Sequence, residues 1–78
     1  MQLEIITADS QLYSGEVTSV KFPGMDGEFE ILNNHAPVIS TLDKGIIRVI
    51  DNNNKTEKFG ITGGVIEMQN NKIIVLAD

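Results

Sequence analysis

The sequence contains no cysteine and no tryptophan, and few of its residues are basic or aromatic. The absence of cysteine excludes disulfides, thiolate metal sites and a cysteine nucleophile. Six basic residues stand against eleven acidic ones, for a formal net charge of −5, so the chain is repelled by phosphate backbones and nucleic-acid binding is disfavoured. No segment approaches the ~18 consecutive apolar residues of a membrane-spanning helix, and the N-terminus lacks a signal-peptide pattern. We therefore predict a soluble, cytoplasmic protein.

The length allows one domain, which we place at residues 1–78. A chain this short buries only roughly 60% of its unfolded surface on folding. Two-domain clefts and large cofactor cavities are therefore disfavoured, whereas a compact binding module is easily built.

Most apolar residues fall in short Ile- and Val-rich runs that end at Gly, Pro, Asn or Asp, a pattern typical of strands and turns. No segment shows helical periodicity, and Ser14-Gly15 is predicted as a turn. The unbroken run Ile73–Leu76 predicts a strand that is covered on both faces or lies on a docking surface. We therefore predict an all-β, two-sheet β-sandwich. The candidate strands are Leu3–Thr7, Val17–Phe22, Glu28–Leu32, Val38–Leu42, Ile46–Ile50, Lys55–Thr62, Val65–Gln69 and Ile73–Leu76.

Few residues offer catalytic or metal-binding chemistry. His35 is the only histidine, and no partner for acid/base catalysis or metal binding is apparent. Asp26, Glu28 and Glu30 lack the spacing of a calcium loop and fit an acidic contact patch better. The Gly60–Gly64 segment lacks the Lys-Ser/Thr of a phosphate loop. We therefore predict no catalytic residue, no metal and no cofactor.

Asp43-Lys44-Gly45 supports a second hypothesis. An Asp-Lys at a hairpin tip of a small acidic β-sandwich is how lipoyl carrier domains present their modified lysine, so Lys44 is a candidate attachment site. A solvated turn that ends at Gly45 explains the same residues without chemistry.

The ordered motifs of the chain resemble one family from end to end. The sequence resembles the N-terminal β-sandwich domain of the epsilon subunit of F-type ATP synthase, a domain of two sheets and about ten short strands. The motifs that carry the resemblance are Leu12-Tyr13-Ser14-Gly15-Glu16-Val17, Pro23-Gly24-Met25-Asp26-Gly27-Glu28-Phe29, Asn34-His35-Ala36-Pro37, Gly45-Ile46-Ile47-Arg48-Val49, Gly63-Gly64 and Val75-Leu76-Ala77-Asp78.

The resemblance implies a non-catalytic subunit of the rotating central stalk. Its partners would be the gamma subunit and the c ring, with the alpha/beta head reached through gamma, and it would couple ion-driven rotation to ATP synthesis. It would be peripheral to the membrane, without lipid insertion, at the cytoplasmic face of the bacterial plasma membrane or alternatively at the stromal side of the thylakoid.

Matching positions imply two contact surfaces. The c-ring surface would contain Met25, Asp26, Gly27, Glu28 and His35, and the gamma surface Thr7 and Ser40. Many family members continue into a C-terminal helical hairpin; this sequence stops at Asp78, so we expect no such hairpin in it.

Overall fold

All residues from 1 to 78 are described in a computed structural model, in which the chain forms eight β-strands and no helix. Each of the eight predicted strands overlaps one of them. The all-β prediction is therefore confirmed, with eight strands where the family resemblance implies about ten. The strands are β1 (Gln2–Ile6), β2 (Gln11–Gly24), β3 (Gly27–Leu32), β4 (Val38–Leu42), β5 (Gly45–Asp51), β6 (Thr56–Ile61), β7 (Gly64–Gln69) and β8 (Lys72–Ala77).

The prediction of a turn at Ser14-Gly15 is wrong, because both residues lie inside the 14-residue strand β2. Gly15 pairs with Leu3 of β1, and Ser14 pairs with Glu4. Pairing with β1 overrides the local turn preference of a Ser-Gly sequence. Further along β2, the register against β5 shifts between Val17 and Ser19. Such a bulge bends a strand and increases its twist.

The strands form two facing layers that share β2. We call β4, β7, β8, β1 and the first half of β2 the first layer, and β6, β5, the second half of β2 and β3 the second layer. The predicted two-sheet sandwich is thus confirmed, although β2 joins the layers into one hydrogen-bonded network. At one corner, a single pair between Gly24 and Leu42 brings β4 back to β2.

Alternation along the strands directs one face of each layer into a common core of sixteen buried apolar residues. Phe22 is the largest fully buried side chain, and its ring lies 5.4 Å from that of Phe29. Tyr13 of the first layer packs edge-to-face on Phe59 of the second, with ring centroids 5.8 Å apart. Partial burial, together with nearby carboxylates, raises the pKa of the Tyr13 hydroxyl.

Candidate functional site

The predicted c-ring residues Met25, Asp26 and Gly27 form the tip of the β2–β3 hairpin. Pairing of Gly24 with Gly27 leaves a two-residue turn in which Met25 is 58% exposed. The Met25 amide donates to the carbonyl oxygen of Thr41 at 3.1 Å, which anchors the tip to β4. A β-carbon on Gly24 would lie 2.6 Å from the carbonyl oxygen of Gly27, so this close turn requires glycine. The tip is therefore a fixed, exposed projection.

The acidic patch predicted around this tip is largely neutralised by cations of the second layer. Glu28 forms an exposed ion pair with Lys21, with 3.4 Å between carboxylate oxygen and ammonium nitrogen. Glu30 accepts hydrogen bonds at 2.6 Å from both the Ser19 hydroxyl and the Arg48 guanidinium. The bond from Ser19, followed by that from Arg48, lowers the pKa of Glu30. Asp26 is left as the unpaired carboxylate of the three.

His35 lies at the opposite end of β3 from the turn. Six residues of strand separate the two ends, a span of ~17 Å. The exposed His35 ring faces the carbonyl oxygen of Ala36, with 2.7 Å from Nδ1 to that oxygen. Asn34, in the left-handed conformation, donates its amide to Asn71 Oδ1 and so ties this loop to the β7–β8 hairpin. The structure does not bring His35 together with the other predicted ring residues.

The two predicted gamma-facing residues belong to different parts of the first layer, Thr7 at the end of β1 and Ser40 on β4. Thr7 closes the β1–β2 connection, where its Oγ1 accepts the Ser10 amide at 3.1 Å. Ser40 is half-buried on β4 and pairs with the buried residue Ile66. Strands β8 and β7 separate β1 from β4, so Thr7 and Ser40 are roughly 14 Å apart across the sheet.

Sequence reasoning missed a row of exposed apolar side chains on the outer face of the first layer. Val65 of β7 lies opposite Leu76 of β8, which in turn lies opposite Ile6 of β1. We call these three residues the outer apolar row; Val65 is 44% and Leu76 52% exposed, and Ile6 is half-buried. Ile39 of the neighbouring strand β4 is 78% exposed. The unbroken run Ile73–Leu76 was the one signal in the sequence, because alternation alone would have placed polar residues on this face.

The lipoyl hypothesis requires Lys44 at a hairpin tip, and the structure does not place it there. Strands β4 and β5 pair with different neighbours, so Asp43-Lys44 is a connection between the two layers. The Asp43 amide donates to Pro23 at 2.8 Å, and the Asp43 carboxylate accepts the Lys44 amide. The connection is held against β2 instead of projecting from a hairpin.

The sequence profile of the ATP synthase delta/epsilon chain β-sandwich domain matches residues 1–78. The chain is 40% identical over 77 residues to the ATP synthase epsilon chain of Chlorobium limicola, which covers 99% of this chain and 88% of that one. It is 41% identical over 78 residues to the epsilon chain of Campylobacter curvus and 43% identical over 77 residues to that of Pelotomaculum thermopropionicum. The match spans 60% and 57% of those two longer relatives.

Two solved structures share the fold at lower sequence identity. A chain in the mitochondrial ATP synthase of Euglena gracilis, a structure of OSCP, F1 and the c-ring, superposes with a TM-score of 0.90 at 19% identity, covering 96% of this chain and 48% of that one. A chain in the central stalk and c-ring structure of Tetrahymena thermophila mitochondrial ATP synthase superposes with a TM-score of 0.81 at 13% identity. The match covers 97% of this chain and 61% of that one.

The family predicted from the ordered motifs is confirmed by these matches, which extend over the whole sequence. The structure has no helix of the length and apolar character needed to span a membrane. In sequence and in fold, the chain belongs to the ATP synthase delta/epsilon chain family, and its residues 1–78 form the β-sandwich domain of that family.

Proposed function

We propose that this chain acts as a non-catalytic rotor subunit of an F-type ATP synthase, binding the gamma subunit and the c ring and transmitting rotation between them. The observation that carries the proposal is the outer apolar row on a member of this family. Contiguous apolar side chains exposed across neighbouring strands are typical of a surface that binds another protein. A stiff, closely packed sandwich suits a part that transmits torque, because close-packed interiors are hardly compressible.

In this proposal, gamma covers the outer face of the first layer. Thr7 directly follows Ile6 and so lies at one end of the outer apolar row. Ser40 lies on edge strand β4, where its side chain points to the same inner face as Ile66, so it would meet gamma at the edge of the layer, beside the outward-facing Ile39. An apolar centre with small polar residues at its margin is the usual composition of a protein interface.

The ring contact is assigned to the tip of the β2–β3 hairpin, comprising Met25, Asp26, Gly27 and Glu28. In this proposal its carboxylates bind basic groups of the ring, because charge complementarity orients docking. Since His35 follows the other end of β3, a strand ~17 Å long, we assign it a separate contact at that end.

ATP synthase is a membrane-associated complex, and protein contacts would hold this chain to it. We propose a peripheral position at the cytoplasmic face of a bacterial plasma membrane. The similar sequences from Chlorobium, Campylobacter and Pelotomaculum, all bacterial genera, support this location.

Affinity capture of the tagged chain from detergent-solubilised membranes of its source tests the proposal. We expect gamma and c subunits to be recovered in stoichiometric amounts. Leu76→Gln should lower the recovery of gamma by about tenfold, because it removes an apolar contact from the centre of the interface. Leu32→Gln is the matched control, since Leu32 is 54% exposed but lies on the outer face of the second layer. Failure of the unmodified chain to recover gamma and c subunits would refute the proposed function.

A further inference from the structure

A row of basic side chains crosses the outer face of the second layer. Lys58 of β6 lies opposite Arg48 of β5, which lies opposite Lys21 of β2. These are three of the six basic residues in a chain of net charge −5. Like charges directly opposite each other on neighbouring strands are destabilising. The row therefore needs compensation by anionic groups.

The chain itself supplies part of that compensation. Glu28 is paired with Lys21, and Glu30 with Arg48. The exposed Lys58 forms no ion pair within 4.0 Å. Two carboxylates compensate two of the three cations. One positive charge, that of Lys58 at the β6 end of the row, is left uncompensated.

The same side chains surround an open depression of about 230 Å³. Ile46 lines it together with the three basic residues and Glu28. The Ile46 side chain is 55% exposed, although it lies on a strand whose alternate residues are buried in the core. The depression thus combines one excess positive charge with one exposed apolar side chain.

We propose that this depression is a docking site for a segment of a partner protein that carries a carboxylate beside an apolar residue. The carboxylate binds between Lys58 and Arg48, and the apolar neighbour packs on Ile46. A single negative charge matches the single excess positive charge of the row, and charge-assisted bonds to Lys and Arg are the stronger class of hydrogen bond. Phosphate groups, nucleotides and anionic membranes carry more negative charge, so Glu28 and Glu30 repel them more strongly than they repel a single carboxylate.

The site is independent of the proposed contact with gamma. It lies on the outer face of the second layer, whereas the outer apolar row lies on the first. Glu28 lines the depression and also belongs to the proposed ring contact, so the test substitutes Lys58, which lies three strands away from β3 in the order β6-β5-β2-β3.

Titration of the ¹⁵N-labelled whole chain by NMR at low ionic strength tests the site. The probes are the blocked tripeptides acetyl-Leu-Glu-Leu-amide and acetyl-Leu-Gln-Leu-amide, and inorganic phosphate. We expect the Glu peptide to shift the amide signals of Lys21, Ile46, Arg48 and Lys58, and to bind about fivefold more tightly than the Gln peptide. Lys58→Gln should lower the affinity for the Glu peptide by a similar factor. Lys55→Gln, the same charge change in the β5–β6 loop, should leave its affinity unchanged.

Three results would overturn the proposal. Equal affinity for the two peptides would mean that the carboxylate is not recognised. If Lys58→Gln and Lys55→Gln lowered the affinity for the Glu peptide equally, binding would depend on net charge alone. Phosphate that binds as tightly as the Glu peptide, at the same residues, would indicate a simple anion site instead of a docking site for a protein segment.

Discussion

The carboxylate of Glu30 is the centre of a side-chain hydrogen-bond network in the second layer. It accepts bonds from Ser19 and Arg48, and Arg48 also donates to the Ser19 hydroxyl at 2.9 Å. Ser19 is the one polar side chain among the buried residues, and this network supplies its partners. The sequence shows Glu30 only as part of an acidic patch, because the strands of Ser19 and Arg48 are distant in the chain.

The stability contributed by Glu30 should depend on pH. Its pKa is lower in the folded chain than the ordinary value of 4.5, so the ionised form is favoured by folding. That contribution is complete above the ordinary value and is lost as the pH falls through the lowered folded value. Glu30→Gln should therefore lower the free energy of unfolding at pH 7, and the difference from the unmodified chain should shrink at pH 3. Urea unfolding of both proteins at the two pH values measures this; a difference that is the same at both would contradict it.

Among the elements, the β2–β3 hairpin depends on a single small residue, Gly24. Its strands pair up to Gly24 and Gly27, and the ring of Phe29 packs beside Gly24. The β7–β8 hairpin achieves a similar two-residue turn with Asn70 and Asn71, both at positive φ. Turns of this kind follow from local sequence, because Pro, Gly and Asn residues interrupt the apolar runs at both hairpins.

Gly24→Ala should destabilise the fold by about 1–3 kcal/mol, because the added methyl group meets backbone and ring atoms that cannot both move away. Gly60→Ala is the control, since no atom lies within 4 Å of the corresponding position on β6. Its effect should stay within about 0.5 kcal/mol. Urea unfolding midpoints give both values, and equal destabilisation by the two substitutions would refute the role assigned to Gly24.

On the scale of the whole molecule, the sandwich presents different surfaces in different directions. The outer apolar row crosses three strands of the first layer, the basic row crosses the second, and the acidic hairpin tip projects at the corner where β4 returns to β2. A rigid body with separate contact surfaces can bind two partners at once and transmit force between them.

Glu28→Lys tests this arrangement in the assembled complex. Reversing the charge at the hairpin should reduce proton pumping per ATP hydrolysed, because the proposed contact with the c ring is weakened. The isolated domain should stay folded, since the exposed pair with Lys21 contributes at most about 1 kcal/mol. Glu57→Lys makes the same change on β6, at the far edge of the second layer, and should leave pumping intact. Unchanged pumping by the Glu28→Lys complex would remove Glu28 from the ring contact.

Local patterns in the sequence were sufficient to predict the strands, most turns and the family. Period-two alternation and turn residues are properties of a few neighbouring positions, so they can be recognised without knowing the fold. Tertiary pairing decided the rest. Pairing with β1 makes Ser14-Gly15 part of strand β2, and strand β3 separates His35 from Met25. Pairing of β7, β8 and β1 places Val65, Leu76 and Ile6 in one apolar row. Which residues of distant strands lie opposite each other depends on register, and register is set by the packing of the whole core, to which every strand contributes.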